Sequence, residues 1–186
     1  MSLSTADPDP RKPQGTWDRF GTWVAEGFGV GWIPLAPGTF GSILGIAWAA
    51  LLLLPRSPWL FGVGVLGGFF ASVYFCGLGE RTLGKSDPGS IVLDEITAVP
   101  VCFVGWLAWE TRRTGSWPGA EDLFSGKNWV LVLAVFVVFR FFDIAKPWPV
   151  KGSQKLPGGW GVTVDDFLAA AYVNLLTPAW YLLVKA

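Results

Sequence analysis

The sequence predicts an all-α, polytopic membrane helix bundle: about five membrane-embedded helices preceded by an interfacial amphipathic helix. Three observations carry this. Hydrophobic residues make up 52% of the chain and charged residues 15%, against roughly 25% charged in soluble domains. Twelve tryptophans, many near the ends of apolar runs, match the aromatic belts of membrane–water interfaces. Five apolar segments alternate with turn-rich connectors, and no internal repeat is visible. At 186 residues the chain reads as one domain.

Residues 1–15, MSLSTADPDPRKPQG, are polar and proline-rich and read as a flexible tail without the apolar core of a signal peptide. Residues 16–186 form the single membrane-embedded domain. In it, Trp17, Phe20, Val24 and Phe28 fall on one helical face, with Asp18, Arg19 and Glu26 off it. That is the pattern of a helix lying in the interface, or of an ordinary packing helix. The apolar segments are 40–54, 59–78, 90–109, 128–145 and 164–184. A bilayer core needs ~20 helical residues, so the last four suffice as spans, and the first is short. Pro100 and Pro178 are tolerable where neighbours satisfy the freed backbone groups. If all five cross, the N-terminal region and the 79–89 and 146–163 connectors share a side. That side has the excess of lysine and arginine, which makes it cytoplasmic.

The formal net charge is zero, which suggests no nucleic-acid partner. Histidine is absent, removing every hydrolase or zinc site that needs an imidazole. Cys76 and Cys102 sit inside apolar runs and read as packing residues.

The up-and-down threading brings distant acids together. Asp94 and Glu95 open the third segment, Asp143 nearly closes the fourth, and Asp165 and Asp166 open the fifth, all at the cytoplasmic end. Each has a bland reading: Thr163-x-x-Asp166 matches a capping box, and Arg140 with Asp143 an ion pair. Asp94 and Glu95 resist one, because adjacent helical side chains diverge by about 100° and ionisable groups within spans are functional candidates. Arg140 and Lys146 cannot neutralise five acids. Oxygen-only donors point to a hard cation, Mg²⁺. PGTFGS (37–42) and PGGWG (157–161) are glycine-bearing loops at helix starts, where backbone N–H groups favour phosphate. Thr39 and Ser42 add hydroxyls, and Arg140 and Lys146 add positive charge.

The chain resembles the phosphatidylglycerophosphatase A family through PGTFGSILG (37–45), DPGSIVLDEITA (87–98), FRFFDIAKPWPV (139–150) and LPGGWGVTVDDFLAA (156–170). The resemblance implies Mg²⁺-dependent removal of the terminal phosphate of phosphatidylglycerophosphate, giving phosphatidylglycerol, at the bacterial inner membrane. Carried over by position, the motif residues are Asp94, Glu95, Asp143, Lys146, Asp165 and Asp166, with Gly158, Gly159 and Gly161 in the last loop. Ala98, Thr163 and Ala170 stand where the family often has glycine, methionine and glycine.

The resulting expectation assigns catalysis to Asp94, Glu95, Asp143, Lys146 and Asp166. Metal binding falls to Asp94, Glu95, Asp143, Asp165 and Asp166, and substrate binding to Thr39, Ser42, Arg140, Lys146, Gly158 and Gly159. Water, deprotonated by Glu95 or Asp94, attacks phosphorus; an aspartyl-phosphate route stays open. The acyl chains remain in the bilayer while the headgroup enters a groove open sideways to the leaflet. A cation or small-solute transporter using clustered carboxylates is the alternative, and a membrane scaffold a third reading.

Overall fold

Proline and glycine set most of the helix limits. The computed structural model describes residues 15–185, with side chains through residue 175. The expected tail therefore lies outside the described residues except for Gly15, as do the last side chains of the fifth apolar segment. Every regular element described is helical: α1 (Thr16–Ala25), a 3₁₀ turn (Gly27–Trp32), α2 (Pro37–Leu53), α3 (Pro58–Leu83), α4 (Leu93–Ala98), a second 3₁₀ turn (Val99–Phe103), α5 (Val104–Thr114), α6 (Ala120–Phe124), α7 (Asn128–Ala145), α8 (Val150–Ser153) and α9 (Gly159–Lys185). Pro37 and Pro58 open α2 and α3 at positions where a missing N–H costs nothing. Gly84, at φ +64°, closes α3 in the left-handed conformation that glycine adopts without strain.

The third apolar segment is the centre of the bundle. α4, the second 3₁₀ turn and α5 follow one right-handed path that tightens at Pro100, whose ring cannot continue the α-helical ladder. α2, α3 and α9 pack on α4. Phe103, Trp106, Leu107, Phe139, Leu53 and Ala169 fill the core around it. A run expected to be one span is thus two α-helices joined through a 3₁₀ turn, lying at the centre of the bundle.

α3 and α7 are long and apolar enough to cross a bilayer, and little of either is buried in the protein. Trp59, Val63, Leu66, Phe70 and Tyr74 form an exposed stripe along α3; Trp129, Leu133, Val137, Phe141 and Ile144 form one along α7. Stripes of that length would be untenable in water. α2 is shorter, at 17 residues.

The N-terminal region departs from the expected pattern. α1 ends at Ala25, and Phe28 lies in the following turn at φ +59°, off the face assigned to it. α1 buries Gly21, Thr22, Val24 and Ala25 against α3 and exposes Trp17, Phe20 and Trp23. Small residues face inward because Gly21 closes on Leu78. Glu26 is buried and accepts a hydrogen bond from the Trp32 indole at 2.8 Å.

α9 crosses α3 at contact distance. A methyl group on Gly159 would lie 2.0 Å from the Val73 carbonyl oxygen and 2.6 Å from the Gly77 nitrogen, both backbone atoms that cannot rotate away. Gly159→Ala is expected to cost about 3 kcal/mol and lower the melting temperature in detergent by roughly 10 °C. Gly158→Ala, where nothing lies within 4 Å, should cost only the left-handed backbone penalty of about 1–2 kcal/mol. Equal melting of the two variants would contradict this packing.

Candidate active site

Three helices deliver the acids to one end of the bundle. α4 begins at Leu93, so Asp94 and Glu95 occupy its first turn. Arg140 and Asp143 lie toward the C-terminal end of α7, and Lys146 caps that helix at φ +42°, with its N–H donated 2.9 Å to the Phe142 carbonyl. α9 begins at Gly159, which places Asp165 and Asp166 inside the helix, beyond its first turn. The capping-box alternative for Thr163 and Asp166 therefore fails. Thr163 is buried and its hydroxyl pairs with that of Ser72 on α3 at 2.8 Å.

Two cations tie the acids into a frame. Arg140 Nη1 donates to Glu95 Oε1 at 3.0 Å and to Asp143 Oδ2 at 2.6 Å, joining α7 to α4. Lys146 Nζ donates to Asp165 Oδ2, joining α7 to α9, and stands 3.9 Å from Asp143 Oδ1. Burial alone would lower the Lys146 pKa, but the bond to Asp165 and the charges of Asp165, Asp166 and Asp143 outweigh it and raise the value from 10.5. The folded value exceeds the unfolded one, so this ammonium contributes its full stability below pH 10.5 and loses it only in more alkaline solution.

Asp94 and Asp166 are 6% and 2% exposed, and neither has a basic partner among the described residues. Asp166 lies within electrostatic reach of Asp94, Asp143, Glu95 and Asp165. Asp94 Oδ1, Glu95 Oε2 and Asp166 Oδ2 are buried without a hydrogen-bond partner, as is Arg140 Nε. Buried polar atoms in native proteins are nearly always satisfied, and a buried charge without a counter-ion is costly. Unmet carboxylate oxygens are what a cation ligand set presents before the cation arrives. Among the described residues, no three His, Cys, Asp or Glu side chains are grouped to enclose an ion by themselves. The donors fit Mg²⁺ in its usual form, held by one or two carboxylates with water and substrate phosphate supplying the rest.

The glycine loops take other roles than a free phosphate cradle. Residues 37–42 are already helical, and the Thr39 N–H is donated to the Ala36 carbonyl at 2.9 Å. Ser42 is fully buried and donates 2.9 Å to the Gly38 carbonyl, so its hydroxyl braces α2 instead of pointing at a ligand. Thr39 is half-buried. Gly38 and Gly41 let α2 close on Glu95: a methyl group on Gly38 would meet Glu95 Oε1 at 2.0 Å and Arg140 Nη1 at 3.0 Å. Gly159 packs on α3, as above, and Gly158 is exposed at φ +56° beside a small cavity. Cys76 and Cys102 are buried and unpaired in a disulfide, as expected of packing residues.

One polar residue escaped the sequence reading. Asp87, in the connector after α3, sits at φ +47°, and its charge acts on Asp94, Glu95 and Asp165. Its only signal was its place at the head of the DPGSIVLDEITA motif.

The family model for phosphatidylglycerophosphatase A matches residues 23–180, a span that contains every residue of the frame. A protein of Haemophilus influenzae named phosphatidylglycerophosphatase A is 34% identical over 82% of this chain and 83% of its own length. One of the same name from Escherichia coli is 35% identical over 78% of this chain and 74% of its own. A protein of Bacteroides thetaiotaomicron, provisionally named a phosphatidylinositol-3-phosphatase, is 34% identical over 82% of this chain and 88% of its own. No solved structure matches the chain at a significant level.

Proposed function

We propose, from the premise that this chain belongs to the phosphatidylglycerophosphatase A family and is a phosphatase, that it hydrolyses the terminal phosphate monoester of phosphatidylglycerophosphate. The products are phosphatidylglycerol and phosphate, a step of glycerophospholipid biosynthesis. The observation that carries this reading is the meeting of acids from α4, α7 and α9 around Arg140 and Lys146, with three carboxylate oxygens left unmet. A transporter would be better served by acids spread through the membrane depth.

Asp94 and Asp166 are the residues that would hold Mg²⁺, with water and substrate phosphate completing its shell; Asp143 and Asp165 are engaged by cations and orient the frame. When bound, Mg²⁺ supplies charge neutralisation at the phosphoryl group and a lowered pKa for water. Arg140 retains an unused Nε and, with Lys146, stabilises charge on the phosphoryl oxygens, the main need in phosphoryl transfer. Glu95 Oε2, the oxygen that Arg140 leaves free, takes the proton of the attacking water.

The reading places the chain as a multi-pass protein of the bacterial inner membrane. Trp59 and Trp129 mark the end of the bundle away from the site, and Trp17, Trp32 and Trp148 mark the site end, which gives two aromatic belts. α1, whose Trp17 indole donates to the Tyr74 hydroxyl at 3.1 Å, lies at headgroup depth beside the site. The lysine and arginine excess puts that end in the cytoplasm. The test is phosphate release by purified protein from phosphatidylglycerophosphate in mixed micelles. Excess chelator should abolish release and Mg²⁺ restore it; release unaffected by chelator would remove the metal.

A further inference from the structure

Beside the carboxylate frame lies a cavity of about 220 Å³ that the proposed chemistry does not use. It is formed between the connector after α3 and the loop before α9, and Asp87, Gln154, Gly158 and Gly161 are among its walls. Glu80 and Ser86 also line it, but Glu80 is occupied structurally: its Oε1 accepts from the Asp87 N–H at 2.8 Å and from the Ser86 hydroxyl at 3.4 Å. That anchor holds Asp87 at φ +47°, a conformation L-residues rarely take and one that marks a position fixed by its surroundings. The following Pro88 is buried, and its carbonyl accepts from the Ile91 N–H at 2.9 Å. The Asp87 backbone is therefore set by its neighbours, while its side chain is exposed. Its Oδ2 receives only a long contact of 3.4 Å from Gln154 Nε2, which leaves most of a carboxylate's accepting capacity free.

The chemistry of the lining selects the occupant. Two carboxylates and no basic side chain repel an anion, so the cavity is not a phosphate site. Leu156 and Val162 are its only apolar side chains, too few for an acyl tail. A carboxylate beside a primary amide suits a hydroxyl group, which donates to the first and accepts from the second. The position is equally specific. Gly161 and Val162 line the cavity, and Asp165 and Asp166 stand one helical turn, about 5.4 Å, further along α9. In phosphatidylglycerophosphate the free hydroxyl sits on the carbon next to the one bearing the scissile phosphate. We infer that this cavity binds the secondary hydroxyl of the headgroup glycerol, with Asp87 accepting its proton in a hydrogen bond and Gln154 donating to its oxygen. This deepens the reading of the substrate given above and rests on it. Asp87 and Gln154 thereby select glycerol-linked monoesters over lipid phosphates that lack the hydroxyl.

The test compares two substrates in mixed micelles: phosphatidylglycerophosphate and its deoxy analogue, phosphatidyl-1,3-propanediol phosphate. Wild-type protein should favour the hydroxylated lipid in kcat/KM by on the order of tenfold, as expected for one charge-assisted hydrogen bond. Asp87→Asn, which removes the charge from the acceptor, should bring that ratio toward one, and Gln154→Leu should lower it by a smaller factor; asparagine tolerates the positive φ, so the loop is retained. A wild-type ratio near one overturns the inference whatever the variants do, as does a full wild-type ratio kept by both variants. Failure of the underlying reading looks different: neither glycerol-type lipid is hydrolysed while phosphatidic acid or an inositol lipid phosphate is.

Discussion

Asp166→Asn and Asp94→Asn are each expected to lower the rate of phosphate release on the order of a thousandfold while leaving the metal-free protein at least as resistant to heat as wild type. The two effects have one cause. Each side chain is almost fully buried, without a basic partner among the described residues, and keeps an oxygen with no hydrogen bond. An amide of the same shape removes the cost of an uncompensated buried charge and, on the proposed reading, the means of holding a cation. Function at such a position is bought with stability. Thermal melts in chelator, run beside the release assay, measure both. A variant that melts lower than wild type and still turns over would assign these acids to the scaffold.

Arg140→Gln is expected to fail in the opposite way, losing stability and activity together. A single guanidinium nitrogen bridges Glu95 on α4 and Asp143 on α7, and all three side chains are at least four-fifths buried. Removing one partner of such a set leaves the others unpaired and costs about 3–5 kcal/mol, roughly 10 °C in melting temperature for a chain of this size. Activity should fall at least a hundredfold, because the glutamate and aspartate no longer hold their positions and the phosphoryl group loses a cation. Arg140→Lys should recover only part of either loss, since an ammonium cannot reproduce the planar fork. A glutamine variant that melts like wild type would mean that these pairs are solvated and weak.

The sequence showed some of this plainly. The apolar run at 128–145 coincides with α7, because unbroken hydrophobicity of spanning length has few other meanings. The convergence of the acids at one end followed from counting helices and alternating their direction. Burial order was not legible: the 90–109 run reads the same whether it faces lipid or lies at the centre, as α4 and α5 do. The burial of α1 was hidden for a related reason, since contact with α3 selects Gly21 and Ala25 while the aromatics turn outward and Phe28 falls in the turn beyond. Ser42 could not be assigned from composition, because a helical hydroxyl chooses between its own carbonyls and a ligand by local geometry alone. Asp87 depends on a loop conformation that no periodicity encodes.

Two of the five acids, Asp165 and Asp166, ride on α9, which is translated after every other element described. The Arg140 pairs with Glu95 and Asp143 lie wholly on α4 and α7, whereas without α9 Lys146 lacks Asp165 and the cluster lacks Asp166. Hydrolytic competence is thus expected only once the α9 acids have joined the frame.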